Sequence, residues 1–403
     1  MNLYHRLNLK FAKPTKSLIL LGATGSIGTT TLRYLRQNPH IKLNAVSVHK
    51  SIDKLNEIIH HFNPELIAIT DEESYDKFIK NYKYPKIKFY KGNEGLVELI
   101  KNSSADTVLT AVVGSVGIKA TVEAIKQNKK ICIANKETLI VAGELIFKLL
   151  KKSKSPIIPV DSEHNAAFQL LINQKIDHIK KLILTASGGP LREKSLKEIQ
   201  SITKQEVLEH PTWKMGPKIT VDSAGLINKG LEIIEAHYLF GLPYEQLDVK
   251  IHKDSYVHAI IQFNDGSFFL AASPPNMIFP IVHSLHFPNF VENSHQEFKE
   301  LEEWPSLKFY PIDQEKYPGF FLCLEAGKRG LSAPLILNAS NEVAVELFLQ
   351  NKIHFVDIPK IIQDALENIP LVELKNLDII LEEDKKTREF VNNKYDKFLS
   401  LKS

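Results

Sequence analysis

Asp161 and Glu163 stand two residues apart at the end of the apolar run 157–160, with Ser162 between them. Two carboxylates at such a turn can share one hard cation. A third, Glu232, follows the polar residues Asp222, Ser223, Asn228 and Lys229. Three oxygen donors, taken without histidine or cysteine, suit Mg2+ or Mn2+ better than zinc. A plainer reading stays open, since Asp161 alone could cap a helix and sequence distance does not bring Glu232 to it.

Ser187, with Gly188 and Gly189, follows another apolar run, and Ser223, Asn228 and Lys229 offer hydroxyl, amide and ammonium donors. Such groups cradle phosphate, although two ordinary polar turns would have the same composition. The stretch between them, about 187–217, carries charges, prolines and Trp213 beside Met215, as a lid with an apolar tip would. Lys136, just after an apolar strand, could face a substrate hydroxyl or simply begin a solvated helix. The pair His283 and His286 reads as core or surface, and Cys132 as a packed thiol.

Gly22, Gly25 and Gly28 form G-x-x-G-x-x-G between an apolar strand and a helical pattern. Glycines there let the backbone approach a pyrophosphate while the helix N-terminus supplies N–H donors, to which Ser26 could add a hydroxyl. At the end of the second strand stand His49, Lys50 and Ser51, with no acid before Asp53. An acid there would bind a ribose 2′-hydroxyl, so the basic, hydroxylated trio favours NADP over NAD, against the alternative of a solvated turn. Gly114 and Gly117 form a second glycine turn near the same sheet edge.

The elements that must position these groups are legible as a pattern. Short apolar runs at 17–21, 43–48, 65–70, 86–90, 107–112, 130–134 and 156–160 alternate with helical segments, which predicts a doubly wound parallel sheet over residues 1–150. Residues 151–291 read as an α+β catalytic domain, with strands at 181–185, 256–263 and 267–272. Residues 292–318 read as a linker, and 319–403 as a helical domain. The run 266–291 has no charge, but its prolines and histidines argue for buried core over a membrane helix. The first 17 residues read as a frayed leader, with a transit-peptide remnant as the alternative. A net charge of +4 on 403 residues does not call for nucleic acid, and two cysteines fit a reducing compartment.

GATGSIG at 22–28, ANKE at 134–137, PVDSEHNAAFQ at 159–169, SGGP at 187–190, HPTWKMG at 210–216, VDSAGLINKGLEIIEA at 221–236 and LNASNEVAVELFL at 337–349 occur in this order. Together they resemble the 1-deoxy-D-xylulose 5-phosphate reductoisomerases. The resemblance implies an α/β chain with an N-terminal Rossmann-like domain, a central α+β catalytic domain and a C-terminal helical bundle. It also implies a cytoplasmic bacterial homodimer, or an organellar plastid-type one, that works in non-mevalonate isoprenoid synthesis without nucleic acid or membrane.

Its cofactors would be NADPH and Mg2+ or Mn2+, with Co2+ as a substitute. By the same resemblance Asp161, Glu163 and Glu232 ligate the cation, and Lys136 and Ser162 contact the reacting hydroxyls. Ser187, His210, Ser223, Asn228 and Lys229 hold the phosphate or nearby hydroxyls, and Trp213 covers the substrate. Thr24, Gly25, Ser26, Ile27, His49, Lys50, Ser51, Asn135, Glu137 and Gly216 would line NADPH. The chain departs from the family pattern at Pro217, at 224–227, at 273–277 and at His49. The rival expectation is a related NADPH-dependent oxidoreductase with another phosphorylated substrate.

Overall fold

The computed structural model describes residues 3–82, 84–213, 215–292 and 300–396. The chain forms two compact units, each assembled from separate stretches of sequence.

The first unit comprises 1–138, 146–165 and 276–300. Its sheet contains β1 (Ser17–Leu21), β2 (Lys42–Val48), β3 (Leu66–Ile69), β4 (Lys88–Lys91), β5 (Thr107–Thr110), β6 (Lys130–Ile133) and β7 (Ile157–Pro159). All neighbours are parallel, in the order β4-β3-β2-β1-β5-β6-β7. Parallel sheets are covered on both faces, which explains why β1 is apolar from Leu18 to Leu21 and those residues are fully buried. The strand order reverses between β1 and β5, the place where doubly wound sheets open a ligand crevice. The predicted strands are all present, their ends shifted by at most two residues.

Two expectations need correction here. The N-terminal segment is not frayed: Leu3, Leu7 and Leu9 are buried. Asn8, in the left-handed region, donates from its amide to the carbonyls of Leu150, Ser153 and Ser155. The expected boundary at 150, with a second domain running to 291, also differs from the structure, because residues 276–300 return to the first unit. They bring the helix Ile278–His286, whose Ile278, Ile281, Val282 and Leu285 join the core around the sheet. Lys130, only 5% exposed, ties this return in place. Its ammonium donates to the carbonyls of Lys13 (3.1 Å), Leu285 (2.9 Å) and Phe287 (3.2 Å), and burial lowers its pKa.

The second unit comprises 139–145, 166–275 and 301–403, so the helical C-terminal residues form one unit with the central region. Its sheet has the order β11-β10-β8-β9, from β8 (Ile179–Ala186), β9 (Leu247–Ile251), β10 (Val257–Phe263) and β11 (Phe268–Ala272). β9 was not among the sequence expectations. Nor is the apolar run at 266–291 all buried: Phe268, Phe269 and Leu270 on the edge strand are 54, 51 and 46% exposed.

Around this sheet lie the helices Pro217–Ala224, Ile227–Phe240, Pro318–Arg329, Ala333–Leu349, Ile358–Asn368 and Leu377–Val391. The helix Ala333–Leu349 is buried nearly all round, as a central bundle helix must be. The linker expected at 292–318 falls partly on 293–299, outside the described residues. Its later part is anchored, because Tyr310 bridges Ile251 and Trp304 packs on Tyr256. The helical domain expected over 319–403 is described to 396.

Candidate functional site

The glycine loop sits at the carboxyl end of β1. Gly22 has φ +84°, and a Cβ there would lie 2.4 Å from the Ala111 carbonyl oxygen, so only glycine fits between β1 and β5. Its N–H donates to Ser47 Oγ at 2.9 Å, which ties the loop to β2. Gly25 precedes the helix Ser26–Gln37 in extended conformation, and without a side chain it leaves the first helical N–H groups open to an anion. Gly25 and Ser26 are exposed, and Thr24 and Ile27 partly so.

At the end of β2, His49, Lys50 and Ser51 are all exposed. His49 Nδ1 lies 2.9 Å from Thr70 Oγ1, and Lys50 lies 4.0 Å from Asp71, which caps the helix Glu72–Lys80. The basic character of this corner is therefore presented to solvent.

Asn135 knots the ends of β5 and β6 together. Its amide donates to the carbonyls of Val112 (2.8 Å) and Gly114 (3.0 Å) and to Glu137 Oε2 (3.1 Å). Its Oδ1 accepts from Thr138 N, which caps the helix Lys136–Leu150, and from the Thr138 hydroxyl. With its side chain so engaged, Asn135 shapes the second glycine turn, and Glu137, 4% exposed, shares the network.

Lys136 follows, 7% exposed, with its ammonium 2.8 Å from Asp161 Oδ2. Asp161 Oδ1 accepts from Ser162 N (3.1 Å), and Ser162 Oγ donates to Glu163 Oε2 (2.5 Å). Lys136, Asp161, Ser162 and Glu163 thus converge at the carboxyl ends of β6 and β7.

In the second unit, β8 delivers Ser187 into a turn made by Gly188 (φ +83°) and Gly189 (φ +65°). A Cβ on Gly189 would lie 2.5 Å from the Ser223 carbonyl oxygen, so this turn packs directly against the helix carrying Ser223. His210 Nε2 lies 3.1 Å from Ser187 Oγ. His210 Nδ1 accepts from the N–H groups of Thr212 (3.1 Å) and Trp213 (2.9 Å), which fixes the proton of the neutral ring on Nε2. Burial, and secondarily Arg192, push its pKa down to about 4. Arg192, which the sequence reading did not single out, braces the turn by donating to the carbonyls of Ser187 and Lys253.

Trp213 is half-buried and Gly216 exposed, the latter capping the helix Pro217–Ala224. Two short helices in the predicted lid, Leu196–Gln200 and Lys204–Leu208, each begin with a capping box, from Ser195 and Thr203. The predicted loop is thus partly helical.

Leu226 (φ +53°) turns the chain into the helix Ile227–Phe240. On that helix Lys229 Nζ and Asn228 Nδ2 donate to the two oxygens of Glu232, each at 2.6 Å. Lys229 and Glu232 are 4% and 1% exposed. Removing one member of a buried ion pair costs about 3–5 kcal/mol, because it strands the other charge. Asp222 and Asn341, also buried, were not predicted to have a role; the i, i+4 spacing of Lys218 and Asp222 was the available signal.

A cavity of about 540 Å3 in this unit is lined by Ile199, Val221, Ile227, Phe355 and Ile358 among others, and by none of the predicted site residues. Its largely aliphatic walls do not offer the chemistry that the polar clusters offer.

A doubly wound parallel sheet with a glycine loop at its switch point defines the class, a dinucleotide-binding α/β protein. Family models described as 1-deoxy-D-xylulose 5-phosphate reductoisomerase, its C-terminal domain, and the DXP reductoisomerase C-terminal domain match residues 18–143, 157–240 and 272–390. The 1-deoxy-D-xylulose 5-phosphate reductoisomerase of Leptospira borgpetersenii is 46% identical over 380 residues, 94% of this chain and 97% of the relative. That of a Geobacillus species is 44% identical over 379 residues, 94% and 99% of the two chains. The chain belongs to the 1-deoxy-D-xylulose 5-phosphate reductoisomerase family.

A crystal structure of DOX-P reductoisomerase in complex with NADPH, fosmidomycin and magnesium superposes with a TM-score of 0.89 at 37% identity, covering 94% of this chain and 98% of that one. The Zymomonas mobilis enzyme in complex with NADPH gives 0.86 at 33% identity, covering 93% and 98%.

Proposed function

We propose that the protein converts 1-deoxy-D-xylulose 5-phosphate into 2-C-methyl-D-erythritol 4-phosphate, rearranging the carbon skeleton and reducing the resulting aldehyde with NADPH. Its place is the non-mevalonate route to isoprenoids. The observation that carries this reading is the buried Lys229–Glu232 pair with Asn228 on the same carboxylate. A scaffold kept only for its shape would do as well with apolar residues there.

Asp161, Glu163 and Glu232 are the cation's ligands. They fit the group, because every donor is a hard carboxylate oxygen, and Glu232 is buried with its oxygens oriented by Asn228 and Lys229. Mg2+ and Mn2+ both suit such donors, and Co2+ is a lesser candidate. When bound, the cation polarises the substrate's carbonyl and stabilises the oxyanion that develops, and the reduced nicotinamide supplies the hydride.

The chain's own residues do the rest. Lys136 orients Asp161 and places an ammonium beside the reacting hydroxyls, where Ser162 adds its Oγ. Ser187, Ser223, Asn228 and Lys229 bind the phosphate, and His210 donates from Nε2. Trp213, on the lid, covers the substrate and excludes water. The loop Thr24 to Ile27 receives the pyrophosphate, His49, Lys50 and Ser51 the 2′-phosphate, and Asn135, Glu137 and Gly216 the nicotinamide end.

The working form is a homodimer. β11 pairs with β10 on one side and, among the described residues, with no strand on the other, yet it exposes Phe268, Phe269 and Leu270. An exposed apolar edge invites a second copy. Among the described residues no helix is long and apolar enough to cross a membrane, and we place the protein in the bacterial cytoplasm.

The test follows NADPH absorbance with 1-deoxy-D-xylulose 5-phosphate, with and without Mg2+ or Mn2+, and identifies the product by mass. Cation-dependent oxidation yielding the branched polyol phosphate is expected. Oxidation with a different phosphorylated substrate only would favour the related oxidoreductase instead.

A further inference from the structure

We propose that Asn341 is a positioning residue for the phosphate end of the substrate: acting through Asp222, it fixes the helix that carries Ser223. The inference rests on the assignment of Ser223 to the phosphate.

Asn341 lies on the buried helix Ala333–Leu349 and is 0% exposed. Its Nδ2 donates to Asp222 Oδ1 at 2.9 Å, a contact spanning 119 positions of sequence. The other oxygen, Oδ2, lies 2.9 Å from Lys218 Nζ. Asp222 itself is 1% exposed. A buried carboxylate needs its charge compensated, and here Lys218 supplies the countercharge while the Asn341 amide supplies the hydrogen bond.

The carboxylate immediately precedes Ser223, on a helix of only eight residues. So short a helix gains little fixity from its own backbone bonds, and its rotation must be set by tertiary anchors. One neighbour already leaves no slack, since the Ser223 carbonyl fills the space a Cβ of Gly189 would need. Asn341, reaching Asp222 from another helix, supplies the opposing hold. Just beyond Ser223 the chain passes through left-handed Leu226 to Asn228 and Lys229, so the same anchor sets where those donors begin.

The choice of amide at 341 also has an electrostatic reason. Lys218 and Asp222 cancel, and a neutral third member leaves the trio without net charge. An acid at 341 would add a buried anion behind a site that must accept a dianion.

The experiment uses the full-length protein with its cation. Asn341→Asp is compared with Asn341→Ala, with the exchange variant Asp222→Asn/Asn341→Asp, and with Ser223→Ala as a control on the phosphate assignment. For each, KM for 1-deoxy-D-xylulose 5-phosphate, KM for NADPH, kcat and competitive inhibition by inorganic phosphate are measured.

Misplacement of a binding group by about 1 Å can cost up to 100-fold, so Asn341→Asp is expected to raise the substrate KM and the phosphate inhibition constant together by about tenfold or more. kcat should change less, and KM for NADPH should stay put. The exchange variant restores one amide and one carboxylate, and should recover most of the loss. Should Asn341→Asp fail to fold, Asn341→Ala carries the same comparison through loss of the donor.

Unchanged phosphate and substrate affinity in a variant that merely melts earlier would overturn the inference, as would an exchange variant no better than Asn341→Asp. If Ser223→Ala leaves the substrate KM untouched, the phosphate assignment itself fails. If Ser223→Ala raises it and the Asn341 variants do not, only the positioning role fails.

Discussion

His210 donates from Nε2 to the hydroxyl of Ser187, 3.1 Å away, because two backbone N–H groups already occupy its Nδ1. The ring is therefore a neutral donor, and burial opposes its protonation down to about pH 4. A histidine whose folded pKa lies below its ordinary value of 6.5 contributes stability that is present above pH 6.5 and lost as pH falls toward 4. His286, 2.7 Å from the Tyr34 hydroxyl, is likewise pushed down to about 4 by burial and adds to the same loss. We expect the melting temperature to drop through this window, and the His210 ring resonances to titrate near pH 4. A midpoint at 6 or above would contradict the buried neutral ring.

Glu232→Gln keeps the shape of the side chain but removes its charge. Lys229 then sits buried against an amide, and the proposed cation loses a ligand. Turnover should fall on the order of 100- to 1000-fold, as when one electrostatic partner of a transition state is removed. Cation affinity by calorimetry should fall with it, while NADPH affinity stays within a factor of a few. Glu232→Lys should abolish turnover. Undiminished cation binding in either variant would remove Glu232 from the ligand set.

Lys50 is exposed and loosely paired, so its replacement should cost the fold little. Lys50→Glu places an acid where the proposal puts a 2′-phosphate, and should weaken NADPH by roughly tenfold or more, about 1.4 kcal/mol. NADH should be affected far less. Equal losses for the two cofactors would show that the phosphate lies elsewhere.

Asn135→Ala deletes an N-cap and the bonds that close the turn at Val112 and Gly114. The cap alone is worth about 1 kcal/mol, and stranded buried carbonyls add about 1–3 kcal/mol. Urea denaturation should register a loss of about 2–4 kcal/mol. A change under 0.5 kcal/mol, within the usual effect of a surface substitution, would mean the knot is dispensable.

How far sequence reaches into this molecule follows from which interactions are local. The seven strands of the first unit are legible because each is an apolar run bounded by polar turns. Asp161 with Glu163, and Asn228 with Lys229, stand out because each pair is closely spaced, whereas nothing in the spacing relates Glu232 to Asp161. β9 is not a continuous apolar run: Leu247, Val249 and Ile251 alternate with Asp248 and Lys250, the two-residue period of a strand buried on one face, a signal that a search for apolar runs passes over. The buried leader escapes because Leu3, Leu7 and Leu9 acquire their partners through Asn8, which bonds to residues more than 140 positions away. The exposed Phe268 and Phe269 read as core because a sequence does not distinguish a face buried within the chain from one left at a sheet edge. Asn341 and Asp222 meet across 119 positions, a distance at which composition carries no information.

The ammonium of Lys130 bears on how the protein is made. Two of its three carbonyl partners, at Leu285 and Phe287, belong to residues translated about 150 positions later. At roughly 5–20 residues per second, a ribosome needs about 8–30 seconds to reach them. During that interval the nascent sheet holds a cation with one of its three carbonyl partners, beside core positions that Ile278 and Leu285 have not yet filled. The nucleotide-binding half begins first but cannot close until about residue 300 has been made, by which point most of the second unit has been translated too, and a gene fragment ending at residue 150 would encode an aggregation-prone intermediate rather than a domain.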